Sequence, residues 1–207
     1  PLLSGESEMT SRLSREHAVA HTVPGLVVVA GGKYTTYRVM ARDAIDAAVH
    51  GLAVKVPTSV TENVPLLGAE GYEATRNARH VLAAESGLHE ARISHLLGRY
   101  GSLVHEVLAL VAEDPTLGAE LGGAPDHLRA EVVYAVTHEG ARHVEDVLAR
   151  RTRISIETFD RGVRACREVA QLMAPVLGWS DEQVEREVEH YRKRVAAERE
   201  SQRMPDD

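Results

Sequence analysis

Leu26-Val27-Val28-Val29-Ala30-Gly31-Gly32-Lys33-Tyr34-Thr35-Thr36-Tyr37-Arg38 is the stretch from which the rest of this chain can be read. An uncharged, β-branched run followed by a glycine pair and two threonines predicts a strand over 26–30 that turns sharply into a helix. Upstream, residues 14–23 read as a second strand, and Pro24-Gly25 supplies the turn that makes the two a hairpin. Downstream, Tyr37, Met40, Ala41, Ala44, Ile45, Ala48 and Val49 recur at steps of three and four, which predicts an amphipathic helix over 37–49.

The turn is a candidate binding site. Glycine admits backbone conformations that a Cβ forbids and lets another molecule approach the main chain. Thr35 or Thr36 is placed to cap the helix, whose first amides lack internal partners and carry roughly half a positive charge. Lys33 adds a full cation, so the turn suits an anion or a group that becomes anionic during reaction. A purely structural turn uses the same residues, and the local pattern leaves both readings open. A nucleotide P-loop does not fit: Val27 stands where its first glycine is required, and Tyr34 stands where Ser or Thr must follow the lysine.

The segment Gly31-Gly32-Lys33-Tyr34-Thr35-Thr36-Tyr37-Arg38 resembles the GGK-x-TTYR segment of the FAD-dependent glycerol-3-phosphate dehydrogenases. Supporting matches are Pro1-Leu2-Leu3, Leu13-Ser14-Arg15-Glu16-His17, the run from Glu131 to Val136, and the run from Glu145 to Arg153. The resemblance implies a fold that is mainly α: a short β-hairpin and strand–turn–helix remnant of an FAD-binding domain, then a C-terminal α-helical domain. It implies FAD as cofactor, sn-glycerol 3-phosphate as substrate and quinone as electron acceptor. Gly31, Gly32, Lys33, Tyr34 and Thr35 become the cofactor-binding residues, Lys33 the catalytic residue, and Arg15 and Lys33 the substrate-phosphate cations. A guanidinium fork matches phosphate oxygens two at a time. The plain alternative for Arg15 is an ion pair with a nearby glutamate.

Composition is compatible with this and excludes other classes. A net charge of -7 argues against nucleic acid as partner. The single cysteine, Cys166, allows no internal disulfide and reads as a buried helix residue in a reducing compartment. No apolar run approaches the ~20 residues needed to cross a bilayer, which with the resemblance points to a cytoplasmic protein, peripheral at the inner face of the cell membrane. The chain opens on Pro1 rather than methionine, as expected of a piece of a longer protein.

A linker with Pro57 and Pro65 follows the first helix, and the domain boundary is placed in it, giving a flavin/substrate part over 1–56 and a helical domain over 57–207. Helices are expected over 72–85, 91–97, 102–113, 127–150, 161–177 and 181–200. Asp126 and Asp160 are placed as N-caps, and Ser180 with Gln183 as a capping box. His138 and His143 are five apart, about 140° around a helix, so they cannot share one ion on one face. The eleven histidines therefore read as scattered surface or capping residues, with no metal site. Arg150-Arg151-Thr152-Arg153 reads as a cationic helix end.

Missing from the sequence is a strand followed by Gly-x-Gly-x-x-Gly and a helix, the element that holds a dinucleotide pyrophosphate. The reading is therefore split. As part of a parent enzyme that supplies the N-terminal flavin-binding domain, the chain contributes the flavin-edge turn; alone, it is expected to be inactive. The resemblance leaves room for a homo-oligomer. Two other classes stay open on the residues alone: a non-catalytic helical interaction or oligomerisation module, and a phosphate-binding module without redox activity.

Overall fold

A computed structural model describes residues 17–202. The chain divides into two compact units, Pro1–Leu66 and Leu67–Asp207, and each is described by itself.

In the first unit β1 (His17–Val23) pairs antiparallel with β2 (Leu26–Gly31), in a register that sets His17 opposite Gly31 and Val19 opposite Val29. Pro24-Gly25 closes the hairpin; Gly25 has φ +83°, the left-handed conformation that a proline–glycine turn asks of its second residue. Beyond β2 a single 3₁₀ turn (Tyr34–Thr36) leads into α1 (Tyr37–Val49), so the expected hairpin and helix are both present. Arg38, Met40, Asp43, Ala44, Ala47 and Val49 are the half-covered positions of α1. Tyr37, Ala41, Ile45 and Ala48 form a second stripe that stays exposed. No residue from 17 to 66 is buried, so these elements hold their shape without a core of their own.

The second unit is helical: α2 (Tyr72–Asn77), α3 (Arg79–Ser86), α4 (Glu90–Tyr100), α5 (Val104–Glu113), α6 (Arg129–Thr137), α7 (Ile154–Glu157), α8 (Cys166–Leu177) and α9 (Asp181–Ser201). A small hairpin of β3 (Glu120–Leu121) and β4 (Ala124–Leu128) precedes α6. Two apolar clusters form the core. One contains Ile93, Leu96, Val104, Val107 and Tyr134; the other contains Val132, Ala135, Val147, Val169, Met173, Val188 and Tyr191. Helix α6 serves both, with buried residues on all sides, as expected of a helix lacking a polar face.

Several expected boundaries move. The helix expected over 72–85 is two, broken at Ala78. The helix expected over 127–150 does not exist as one. Residues 124–128 are strand, α6 ends at Thr137, and Gly140 at φ +68° turns the chain before a π-helical turn over Asp146–Arg151. Asp126 therefore caps nothing; it lies in β4. Asp160 accepts the amides of Gly162 and Arg164 at 3.3 and 2.8 Å, but this organises a turn, and α8 starts only at Cys166. Ser180 does cap α9, accepting Gln183 N–H at 3.3 Å. Cys166 is buried.

Candidate functional site

Gly31, Gly32, Lys33, Tyr34 and Thr35 run together as the turn that leaves β2. Gly31 and Gly32 have φ of +80° and +85°, two successive left-handed residues that side chains with a Cβ rarely adopt. A Cβ on Gly32 would lie 2.5 Å from Met40 Sδ and 3.2 Å from His17 Cβ, so the turn is pressed onto α1 and β1. Thr36 N–H donates to the Lys33 carbonyl at 3.0 Å, and the Thr36 hydroxyl donates to the same oxygen at 3.0 Å. Thr36 thus occupies the N-cap position of α1 without capping it by its side chain, contrary to expectation: its hydroxyl is spent on Lys33.

Tyr34 and Thr35 open a helical turn, where N–H groups have no acceptor one turn back. Both residues and Lys33 are exposed, Tyr34 at 91%. Open donors, a cation and glycine backbone therefore face outward together. That donor set fits an anionic edge, whether a phosphate or a flavin ring gaining negative charge. Arg15, the other expected phosphate cation, lies outside the described residues.

Behind the turn, His17 Nε2 meets Asp43 Oδ2 at 2.9 Å, tying β1 to α1. The neighbouring Arg42, with His17, holds the Asp43 carboxyl below its ordinary value. Arg38 lies over the Tyr37 ring at 5.7 Å and donates to the Thr61 carbonyl, fixing the chain that follows α1.

The second unit contains a charged cluster that the sequence reading missed. Glu131, on the buried helix α6, is fully covered. Its Oε2 accepts Leu128 N–H at 2.8 Å. Around its Oε1 stand Tyr100 OH at 3.2 Å, His95 Nε2 at 3.3 Å, His127 Nδ1 at 3.4 Å and Arg99 Nε at 3.0 Å, the last as an ion pair. Burial works against the Glu131 charge, but the His127 and His95 contacts outweigh it and hold the carboxyl well below its ordinary range. His127 is buried in an ionic network, which corrects the reading of the histidines as scattered surface or capping residues; His89 does fit that reading, capping α4 by accepting Ala91 N–H at 3.2 Å.

His95, His127 and Glu131 bring ligand atoms within 4.8 Å of one another, as a metal site would. Arg99 and Tyr100 crowd the shared oxygen, however, and a cation seated there would face a guanidinium, so the geometry favours protons and protein donors. A signal for the cluster stood in the sequence: a glutamate inside the apolar run Ala130 to Val136, with a histidine four residues earlier.

The family described as the C-terminal domain of alpha-glycerophosphate oxidase matches residues 59–184. The whole chain is 58% identical to a glycerol-3-phosphate dehydrogenase of Mycobacterium leprae, covering 35% of that protein. It is 32% identical to the mitochondrial glycerol-3-phosphate dehydrogenase of Homo sapiens, over 91% of this chain and 26% of that one. Among solved structures, the X-ray structure of the glycerol-3-phosphate dehydrogenase from Bacillus halodurans complexed with FAD superposes with a TM-score of 0.68 at 25% identity, over 86% of this chain and 36% of that one. The chain spans about a third of the length of the mycobacterial relative, at 35%.

Proposed function

Because this chain belongs to the family of the C-terminal domain of alpha-glycerophosphate oxidase, we propose that it is the C-terminal part of an FAD-dependent glycerol-3-phosphate dehydrogenase. The observation that carries this is the 58% identity over all 207 residues to a glycerol-3-phosphate dehydrogenase, joined to a glycine–lysine turn whose donors stand open. When bound, FAD would supply the acceptor for the two electrons and two protons that leave sn-glycerol 3-phosphate as it becomes dihydroxyacetone phosphate, with quinone as the onward electron acceptor.

The chain's own residues bind and orient. Gly31 and Gly32 keep side chains away from the turn, and the amides of Tyr34 and Thr35 favour a ligand edge that becomes negative as electrons arrive. Lys33 holds the substrate phosphate and adds positive charge at the same edge, and Arg15 is the second phosphate cation. The flavin- and substrate-binding part runs over 1–56 and the helical domain over 57–207; the family match beginning at residue 59 supports that division. Exposed apolar side chains of the first unit, including Val23, Leu26, Val28, Tyr37 and Ile45, support a role as one layer of a larger domain. Among the described residues no helix is long and apolar enough to cross a membrane. The protein works in the cytoplasm and meets quinone as a peripheral protein at the inner membrane face.

The test uses the full-length polypeptide loaded with FAD, with glycerol 3-phosphate as reductant and flavin bleaching and dye reduction as readouts. Absence of substrate-dependent bleaching in the loaded wild type would overturn the function. Lys33→Ala should lower kcat/KM by about tenfold or more, the scale of one charge-assisted phosphate contact. Unchanged steady-state and flavin-reduction kinetics would remove Lys33 from the site. The 207-residue chain alone should neither hold FAD tightly nor turn over, for want of the Gly-x-Gly-x-x-Gly element.

A further inference from the structure

His127, on β4, touches a carboxylate through each ring nitrogen: Glu131 Oε1 through Nδ1 at 3.4 Å and Glu157 Oε2 through Nε2 at 3.0 Å. A neutral imidazole has one N–H and can serve only one of them, whereas an imidazolium serves both. The two carboxylates differ in their access to water. Glu131 is fully covered, while the Glu157 side chain is 44% exposed. Other groups face the same imidazole. From α4 come His95, edge-on with ring centroids 5.1 Å apart, together with Arg99 and Tyr100. His127 itself does not open to solvent, but two of its partners, His95 and Glu157, line a cavity of about 670 Å³ together with His89, Arg92, Glu120 and Asp126, and protons can exchange by way of them.

We propose that His127 is a proton-operated latch: as an imidazolium it ties α7 to buried Glu131, and on losing its Nε2 proton it keeps Glu131 and releases Glu157. Which proton leaves follows from desolvation. A buried carboxylate stripped of a donor has no water to replace it, whereas Glu157 turns into solvent at little cost. The freed element is short. Helix α7 spans Ile154–Glu157; buried Ile154 anchors its start in the core, Arg99 donates to the carbonyls of Thr152, at 3.2 Å, and Arg151 just before it, and release of Glu157 therefore loosens its C-terminal end. Its outward side carries Ile156 at 77% exposure, followed by Phe159 at 100%, so the latch sets how firmly an apolar edge is presented.

Burial lowers the His127 pKa, but the hydrogen bond and charge of Glu131, then Glu157, more than reverse this and raise it above the ordinary value. The sign follows: a raised folded pKa means the latch is fully closed below the unfolded value of about 6.5 and opens as pH climbs through the folded value.

The experiment follows the ring nitrogens of ¹⁵N-histidine-labelled full chain by NMR, and hydrogen exchange at the Ile156, Glu157 and Thr158 amides, which donate to Arg153 and Ile154 carbonyls. A titration midpoint above about 6.5, a neutral form protonated at Nδ1, and exchange accelerated about tenfold beyond the intrinsic base-catalysed rise are expected. Glu157→Ala, at a half-exposed position that leaves the core untouched, removes the acceptor and should lower the midpoint and make exchange fast at every pH. A neutral His127 that keeps its Nε2 proton would overturn the proposal, as would exchange that tracks only the intrinsic rate or is unmoved by Glu157→Ala.

Discussion

Replacing Glu131 by glutamine tests the interior of the helical unit with a change of charge and almost none of shape. The native carboxylate is fully covered and is surrounded by Leu128 N–H at 2.8 Å, Tyr100 OH at 3.2 Å, His95 at 3.3 Å, His127 at 3.4 Å and Arg99 at 3.0 Å. Glutamine offers one acceptor oxygen and an NH₂. Pointed at Oε2's place, the NH₂ meets the Leu128 N–H donor to donor; pointed at Oε1's place, it meets the phenol, both imidazoles and the guanidinium. In either orientation Arg99 keeps a charge in a covered site without its counter-ion. Removing one partner of a buried ion pair costs about 3–5 kcal/mol, and this should be the loss read from urea denaturation of the 207-residue chain followed by circular dichroism at pH 7.

The pH dependence carries its own sign. Glu131's folded pKa is depressed, so its contribution is present above the unfolded value of about 4.3 and fades as pH falls through the folded one. The wild-type advantage should hold from neutrality to about pH 5 and then narrow. A variant within about 0.5 kcal/mol of wild type at pH 7 would refute the view that these donors depend on a carboxylate.

Two further substitutions probe backbone and caps. Gly101→Ala sets a Cβ 2.2 Å from the Gly68 carbonyl at φ +60°, where only main chain could yield, and should cost about 2 kcal/mol or more in the same denaturation assay. Ser180→Ala removes the oxygen that accepts Gln183 N–H at 3.3 Å and should cost about 1 kcal/mol, seen as a lower denaturation midpoint with unchanged slope.

Much of the architecture was legible because it is local. The hairpin of 17–31 follows from β-branched runs around Pro24-Gly25, and α1 begins and ends where its periodicity does. The α9 cap could be read from Ser180 and Gln183 alone. The misreadings occur where a residue's neighbours are distant in sequence. Residues 127–150 have helix-favouring composition, yet Gly140 turns the chain back so that Val144, Val147 and Leu148 can join the core with Val169 and Met173. The cap of α1 is a local exception: Thr35 or Thr36 was expected to supply it, but the Thr36 hydroxyl donates to the Lys33 carbonyl three residues back.

What the sequence determined by itself is the family and the candidate turn, since a contiguous Gly31-Gly32-Lys33-Tyr34-Thr35 carries its conformational needs and its donors in its own residues. What only the tertiary structure decided is the fate of Glu131, His127 and Glu157. The ionisation of a carboxylate depends on how much water it keeps and which donors surround it, and those donors come from α4, β4 and the backbone at Leu128, brought together by folding.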